Sequence, residues 1–111
     1  MAARGPARVR PVDAAIARLM ALVAKAAAPT RIAREVEIIV GEWLALPDAD
    51  PSLTREWLEE LREQIVTGVA DAEDQVSYVD ASDPGVVKQA SLTLAALVAS
   101  RDALVRAAAR I

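Results

Sequence analysis

The chain has no histidine, no cysteine and no phenylalanine among its 111 residues, and only Trp43, Trp57 and Tyr78 supply aromatic rings. Without cysteine there is no disulfide framework and no thiolate metal site, and the composition fits a reducing compartment, so the cytoplasm is the expected location. Without histidine, the side chain that most often exchanges protons near neutral pH is missing, and no serine or threonine has an imidazole to activate it. The four glycines form no phosphate-binding loop. No uninterrupted apolar run approaches the ~20 residues of a bilayer span. These absences argue against an enzyme, a resident cofactor, a small-molecule substrate and an integral membrane protein.

What is present is aliphatic and periodic. Hydrophobic residues make up 54% of the chain, enough for the modest core of one domain. With so few aromatics, that core has to be built from Leu, Val, Ile and Ala. Residues 1–28 carry Arg4, Arg8, Arg10, Arg18 and Lys25 against the single acid Asp13 and end in three alanines. That is superficially leader-like, but Arg18 interrupts the apolar run from Ala14 to Ala24, so the segment is expected to belong to the folded chain.

Apolar spacing predicts an all-α fold of about four helices. Asp13 is the expected cap of a first helix reaching Ala27, with Ile16, Leu19, Met20 and Val23 on one face. Thr30 is the expected cap of a second, striped by Ile32, Val36, Ile39, Val40, Trp43 and Leu44. Asp50-Pro51 and Asp83-Pro84 each pair an N-cap residue with proline at the first helical position, opening helices three and four. Helix three carries Leu58, Leu61, Ile65, Gly68, Ala72, Val76 and Val79. Helix four carries Val87, Ala90, Leu94, Leu97, Arg101, Leu104, Ala108 and Ile111, a heptad-like seam with Arg101 inside it. The last two helices form a long antiparallel hairpin.

Three local features refine that picture. Trp43 and Trp57 flank the 47–51 turn and are expected to pack with Leu46 and Leu53 at one end of the bundle. Gly68 and Ala72 form a small-x-x-x-small step of the kind found at close helix crossings. Arg101 reads as a long stem reaching out at the bundle edge, with a register-setting ion pair across the seam or across subunits as the alternative.

Length adds an argument. About 28 helical residues at ~1.5 Å each make hairpin arms of ~42 Å, whereas the first two helices reach only ~22–25 Å. Either the short helices stack end to end along the hairpin, or a second subunit covers part of its apolar face. The seam of helix four stays apolar to the last residue, which favours the second subunit.

Charge is sorted by segment. Residues 1–47 hold seven basic and four acidic side chains, residues 48–83 two and eleven, and residues 84–111 four and one, giving net charges of +3, −9 and +3. Helix three bears Glu56, Glu59, Glu60, Glu63, Asp71, Glu73 and Asp74. A solvated face is the plain reading of such a run, and a surface for a basic partner the sharper one. The chain carries a basic segment of its own in residues 1–12, an aperiodic stretch with two prolines that reads as an extended N-terminal arm preceding a single helical domain at 13–111. An arm of one subunit on the acidic hairpin of the next makes a head-to-tail contact, which closes into rings or grows into filaments. Arg4, Arg8, Arg10, Glu56, Glu60, Glu63, Asp71, Asp74 and Arg101 are therefore the candidate partner-binding residues.

Other chemistries fit poorly. Glu56, Glu60 and Glu63 share a helical face, but di-metal carboxylate bundles also use a Glu-x-x-His pair from each of two helices. Asp80, Ser82 and Gly85 fall at calcium-loop positions one, three and six, yet Pro84 and Ser91 occupy positions five and twelve. Nucleic acid is disfavoured by the acidic middle segment and the lack of a basic face bearing aromatics. A helical enzyme using only carboxylates and Tyr78 requires Tyr78 and Asp74 to line one pocket.

The expected function is that of a non-enzymatic structural or adaptor subunit of a homo-oligomer, binding copies of itself and neighbouring subunits. A small, helical, arm-bearing chain of this kind resembles the connector (head-tail adaptor) ring proteins of tailed-phage necks. That resemblance is one of architecture, carried by no motif, and implies a virion component. The alternative is an acidic soluble regulator or inhibitor that occupies a basic protein surface.

Overall fold

The computed structural model describes residues 10–111, so Arg4, Arg8 and the rest of residues 1–9 lie outside the described residues. Four helices account for 82% of the described residues, with no strand among them: α1 (Pro11–Ala24), α2 (Pro29–Leu44), α3 (Pro51–Tyr78) and α4 (Pro84–Ala109). All four start with proline, whose fixed φ suits the first helical position and whose missing N–H is not needed there. Asp50 caps α3 by accepting from the Ser52 amide at 2.8 Å, and Asp83 caps α4 through the Gly85 and Val86 amides.

The first two starts differ from the sequence expectation. Helix α1 begins at Pro11 rather than Asp13, taking in two residues assigned to the arm, and Val12 is fully buried. Helix α2 begins at Pro29 rather than Thr30, with Ala28 as an N-cap that supplies no side-chain bond. In both cases proline at the first position outweighs the better capping side chain one or two residues on, and in α1 the earlier start also takes in the buried Val12.

Helix α1 ends three residues short of Ala27. The amides of Ala26 and Ala27 bond back to the carbonyls of Val23 and Leu22, the Schellman pattern, with Ala26 in the left-handed region at φ 51°. That site favours glycine. Ala26→Gly is expected to raise stability by ~0.5–1 kcal/mol, with relief of the left-handed strain exceeding the added freedom of the unfolded chain. Urea unfolding of the variant checks this.

Helix α4 packs along both α3 and α2, α1 lies beside α2 and α3, and α2 and α3 occupy opposite corners of the bundle. The core is one cluster: Val12, Ala15, Leu19, Leu22 and Val23 from α1, Ile32, Val36, Ile39 and Trp43 from α2, Leu58, Leu61, Ile65, Val69 and Ala72 from α3, and Ala96, Leu97, Ala103, Leu104 and Ala107 from α4. Thr54 and Ser100 are buried with it.

The buried row of α4 runs through Ala96, Leu97, Ser100, Ala103, Leu104 and Ala107. It shares only Leu97 and Leu104 with the seam expected from sequence. Arg101 therefore sits at the rim, its side chain 38% exposed and its Nε 3.2 Å from Asp102 Oδ1. The edge reading holds for this residue, and its ion pair is with its chain neighbour rather than across the seam.

The small-residue step of α3 is filled by a side chain. A Cβ built on Gly68 would stand 3.5 Å from a Leu97 methyl, an ordinary contact. Gly68→Ala is accordingly expected to stabilise α3 by up to ~1 kcal/mol, the helix-propensity difference. A destabilised variant in the same urea assay would mean that the crossing is closer than this geometry.

The two short helices lie side by side at one end of the hairpin and do not stack along it. Arg10 at the start of α1 meets Glu60, and the α1–α2 turn lies where Pro29 neighbours Ala95 and Ala99. Beyond Ala72 on α3 and before Ala96 on α4 no residue is fully buried. The far end of the hairpin thus projects past the four-helix body, as the mismatch in helix lengths requires.

Candidate functional site

Three surfaces emerge from this packing: an acidic outer face on α3, a set of unpaired cations on the other helices, and a bare apolar groove at the hairpin tip. The acidic face follows from helix geometry. At ~100° per residue, Glu56, Glu63 and Asp74 point away from the row formed by Leu58, Leu61, Ile65, Val69 and Ala72. All three are exposed, as are Asp71 and Glu73, and none of these five has an ion-pair partner among the described residues. Glu59 pairs with Arg62 one turn along the same helix.

Glu60 is engaged within its own chain. Arg10 Nη2 donates to both of its carboxylate oxygens, at 2.6 and 2.8 Å, across the α1–α3 boundary. One arginine and one glutamate of the candidate set are thereby brought together, but inside one subunit. The hydrogen bond to Glu60 raises the Arg10 pKa further above its usual value. Both side chains are part exposed, so solvent screens the pair and it adds little to stability.

The other cross-helix clamp was not anticipated from sequence. Arg18 donates from Nε to Glu35 at 2.8 Å and from Nη1 to Glu42 at 2.7 Å, joining α1 to two points of α2 that lie about two turns apart. The seven-residue spacing of Glu35 and Glu42, opposite an arginine that breaks the apolar run of α1, was the available signal. The Arg18 hydrogen bond holds the Glu42 carboxyl below the usual carboxylate range, Arg62 does the same for Glu59, and the Ser82 hydroxyl and amide do so for Asp80.

Folded values below the unfolded ones mean that this stability is complete above the ordinary carboxylate range and is lost as pH falls through the depressed values. Urea midpoints are expected to drop between pH 7 and about pH 3, and to drop less in Arg18→Gln, which has no clamp to lose. Equal losses in both chains would assign the acid sensitivity elsewhere.

The cations are distributed differently. Lys25, Arg31, Arg34, Lys88 and Arg106 have no ion-pair partner among the described residues. Arg31 and Arg34 are exposed on α2, at the corner of the bundle opposite α3. Of these cations, Arg31 and Arg34 are thus on the helix with the least contact to α3, which bears the acidic face, while Lys88 and Arg106 are on α4 beside it.

The tip groove, of about 280 Å³, is lined by Ala72, Gln75 and Val79 of α3 and Val86, Gln89, Ala90 and Thr93 of α4. It prolongs the core past the end of the short helices. The sequence places Val76, Val79, Val87 and Ala90 on apolar stripes and leaves part of the hairpin's apolar face for a second subunit; in the structure these four are half-buried. Tyr78, 85% exposed, and Asp74 do not line this groove. At the opposite end, Trp43 and Trp57 meet edge to face with centroids 5.3 Å apart, beside a cavity of about 250 Å³ that Leu46 and Leu53 also line. Trp43 is buried and Trp57 partly so.

The described residues thus form a four-helix bundle with an overhanging hairpin. They contain no cluster of three or more acidic side chains arranged to hold a metal ion, and no helix long and apolar enough to cross a membrane. Comparison of the chain with protein families, with characterised proteins and with solved structures finds no match.

Proposed function

We propose that the chain is a non-enzymatic structural or adaptor subunit that works in a homo-oligomeric assembly, contacting copies of itself and neighbouring subunits. The observation that carries this reading is the bare tip of the hairpin. An apolar groove continuous with the core is left open because α1 and α2 are too short to cover it, and water is excluded from such a face most simply by another protein surface. The acidic face of α3 and the exposed Arg31 and Arg34 of α2 add support, because they are complementary between copies. Within this class, the connector ring proteins of tailed phages are the architecture that the chain resembles. Such a subunit acts in the cytoplasm or in a particle assembled there.

The arm belongs to the same reading. With Arg10 held by Glu60 of its own chain, Arg4 and Arg8 are the arm residues left to reach a neighbour, and Glu56, Glu63, Asp71 and Asp74 are the acids left to receive them. The test is absolute mass by light scattering after size exclusion, at low and high salt. A discrete oligomer is expected, whose arm contacts weaken as salt rises because exposed charges are screened over a Debye length of ~8–10 Å at physiological ionic strength, while the apolar tip contact persists. A monomer at all concentrations and both salts overturns the proposal.

A second reading is favoured by the outward acidic face of α3 alone: a soluble regulator or inhibitor occupying a basic protein surface. It requires a small particle in solution and salt-sensitive binding to a basic protein, with Glu56, Glu63 and Asp74 as the residues whose neutralisation weakens it.

A further inference from the structure

We infer that the overhanging tip pairs with the tip of a second copy about a two-fold axis that crosses the hairpin at Gln75 and Gln89, each copy supplying the two helical segments that the other lacks. The inference rests on the self-assembly reading and specifies its contact. It follows from the levels of the helices. Gly68 lies against Leu97 and Arg55 Nη2 donates to the Ile111 carbonyl at 2.7 Å, so α3 and α4 run antiparallel in a fixed register in which Ala72 stands opposite Thr93 and Val79 opposite Val86. Helix α1 starts beside Glu60 and runs along α3 for 14 residues, ending near the level of Ala72. Above that shoulder the hairpin extends from Ala72 to Val79, about 10 Å of helix.

The α1–α2 pair and the tip of a hairpin are the same kind of object, two antiparallel helices joined by a short turn. A second tip, inverted, fits in the space above the shoulder where α1 and α2 would continue. Its own groove then faces the first, so that Val79, Val86 and Ala90 of both copies are removed from water together. Two-fold inversion about the middle of the overhang brings Gln75 against Gln75 and Gln89 against Gln89, where their amides can bond to each other.

Charge at the ends of the overhang supports the same occupant. The turn at the tip carries Asp80 and Asp83, both exposed and without a cationic partner among the described residues. The shoulder it would reach carries Lys25, Arg31 and the N-terminus of α2, whose cap Ala28 supplies no side-chain bond. Acid at an uncapped helix N-terminus flanked by two cations is a favourable arrangement. The overhang is short, so the contact buries less than the ~1,200 Å² of a standard stable interface and forms a reversible, concentration-dependent dimer. Its two-fold symmetry is closed, and growth into a larger assembly needs a second contact such as the arm.

The absence of cysteine makes the test clean. Gln89→Cys introduces the only thiol of the chain at the axis, and Glu56→Cys places one on the outward face of α3. Under mild oxidation Gln89→Cys is expected to form a covalent dimer at concentrations where Glu56→Cys does not. Ala90→Glu, at a part-exposed position that leaves the body of the core untouched, is expected to weaken dimerisation at least ten-fold while circular dichroism and melting stay near those of the parent chain. If light scattering shows an oligomer but Gln89→Cys fails to cross-link and Ala90→Glu leaves the mass unchanged, the tip contact is wrong and self-assembly stands. If the parent chain is a monomer throughout, both fail.

Discussion

Replacing Trp43 with alanine is expected to remove about 3–5 kcal/mol of folding stability, a large share of the ~5–15 kcal/mol that holds a domain together. Trp43 is the largest side chain in a core without phenylalanine, and it is 5% exposed. Its neighbours at that end of the bundle are a turn, residues 45–50, and the first turn of α3, and Leu46 and Leu53 there are already part exposed to water. They have little reason to close over the space left by an indole. The edge-to-face contact with Trp57 would be lost as well, a pairing worth ~0.5–1.5 kcal/mol beyond burial. Urea unfolding followed by circular dichroism reads the total, and a cycle with Trp57→Ala separates the ring–ring part. Trp57→Ala alone should cost less, because that ring is only partly buried. A loss below ~1 kcal/mol for Trp43→Ala would place the indole outside the cooperative core.

The legibility of this fold in its sequence divides along physical lines. Local signals with one interpretation were sufficient: Asp50-Pro51 and Asp83-Pro84 open α3 and α4 where expected, and the stripe through Leu58, Leu61, Ile65 and Ala72 is the buried row of α3. Where two local signals competed, the weaker-looking one prevailed. Asp13 and Thr30 are good caps, yet Pro11 and Pro29 begin the helices, each proline taking the first helical position, and the earlier start of α1 brings the buried Val12 into the helix. The left-handed Ala26 had no signal at all, since glycine is the residue that announces such a site.

Questions decided by partners in space were less legible. Alanine is abundant on α4, so more than one apolar stripe can be drawn along it. The choice falls on the row through Ala96, Ser100 and Ala107, which α2 and α3 can approach closely. The candidate interaction residues divide in the same way. That Glu56, Glu63 and Asp74 face outward follows from their spacing relative to Leu58 and Ile65, and is readable. That Arg10 is spent on Glu60 of its own chain is not, because residues fifty positions apart are joined only by the packing of α1 on α3.

The choice of row on α4 has a sharp consequence in two adjacent residues. Ser100 is fully buried, and its hydroxyl donates to the Ala96 carbonyl at 2.9 Å, so its polar group is satisfied within the helix. Ser100→Ala should be close to neutral, because the hydroxyl is lost without leaving a partner stranded: Ala96 keeps its backbone acceptor role. Ser100→Arg places a long cation where a small side chain fits. Overpacking costs ~1–3 kcal/mol, and burial of an unpaired charge costs several more. Together these reach the scale of the whole folding free energy, and the variant is expected to be largely unfolded by circular dichroism at ambient temperature. Arg101→Ala removes a rim side chain paired only with its neighbour Asp102, and its expected cost is below ~1 kcal/mol. The heptad seam through Arg101 leaves Ser100 outside it and demands tolerance of Ser100→Arg, with a large effect at Arg101 only if an ion pair across that seam sets the register. Because the two positions differ by one residue and by 100° of helical rotation, this pair of variants reports which face of α4 the other helices grip.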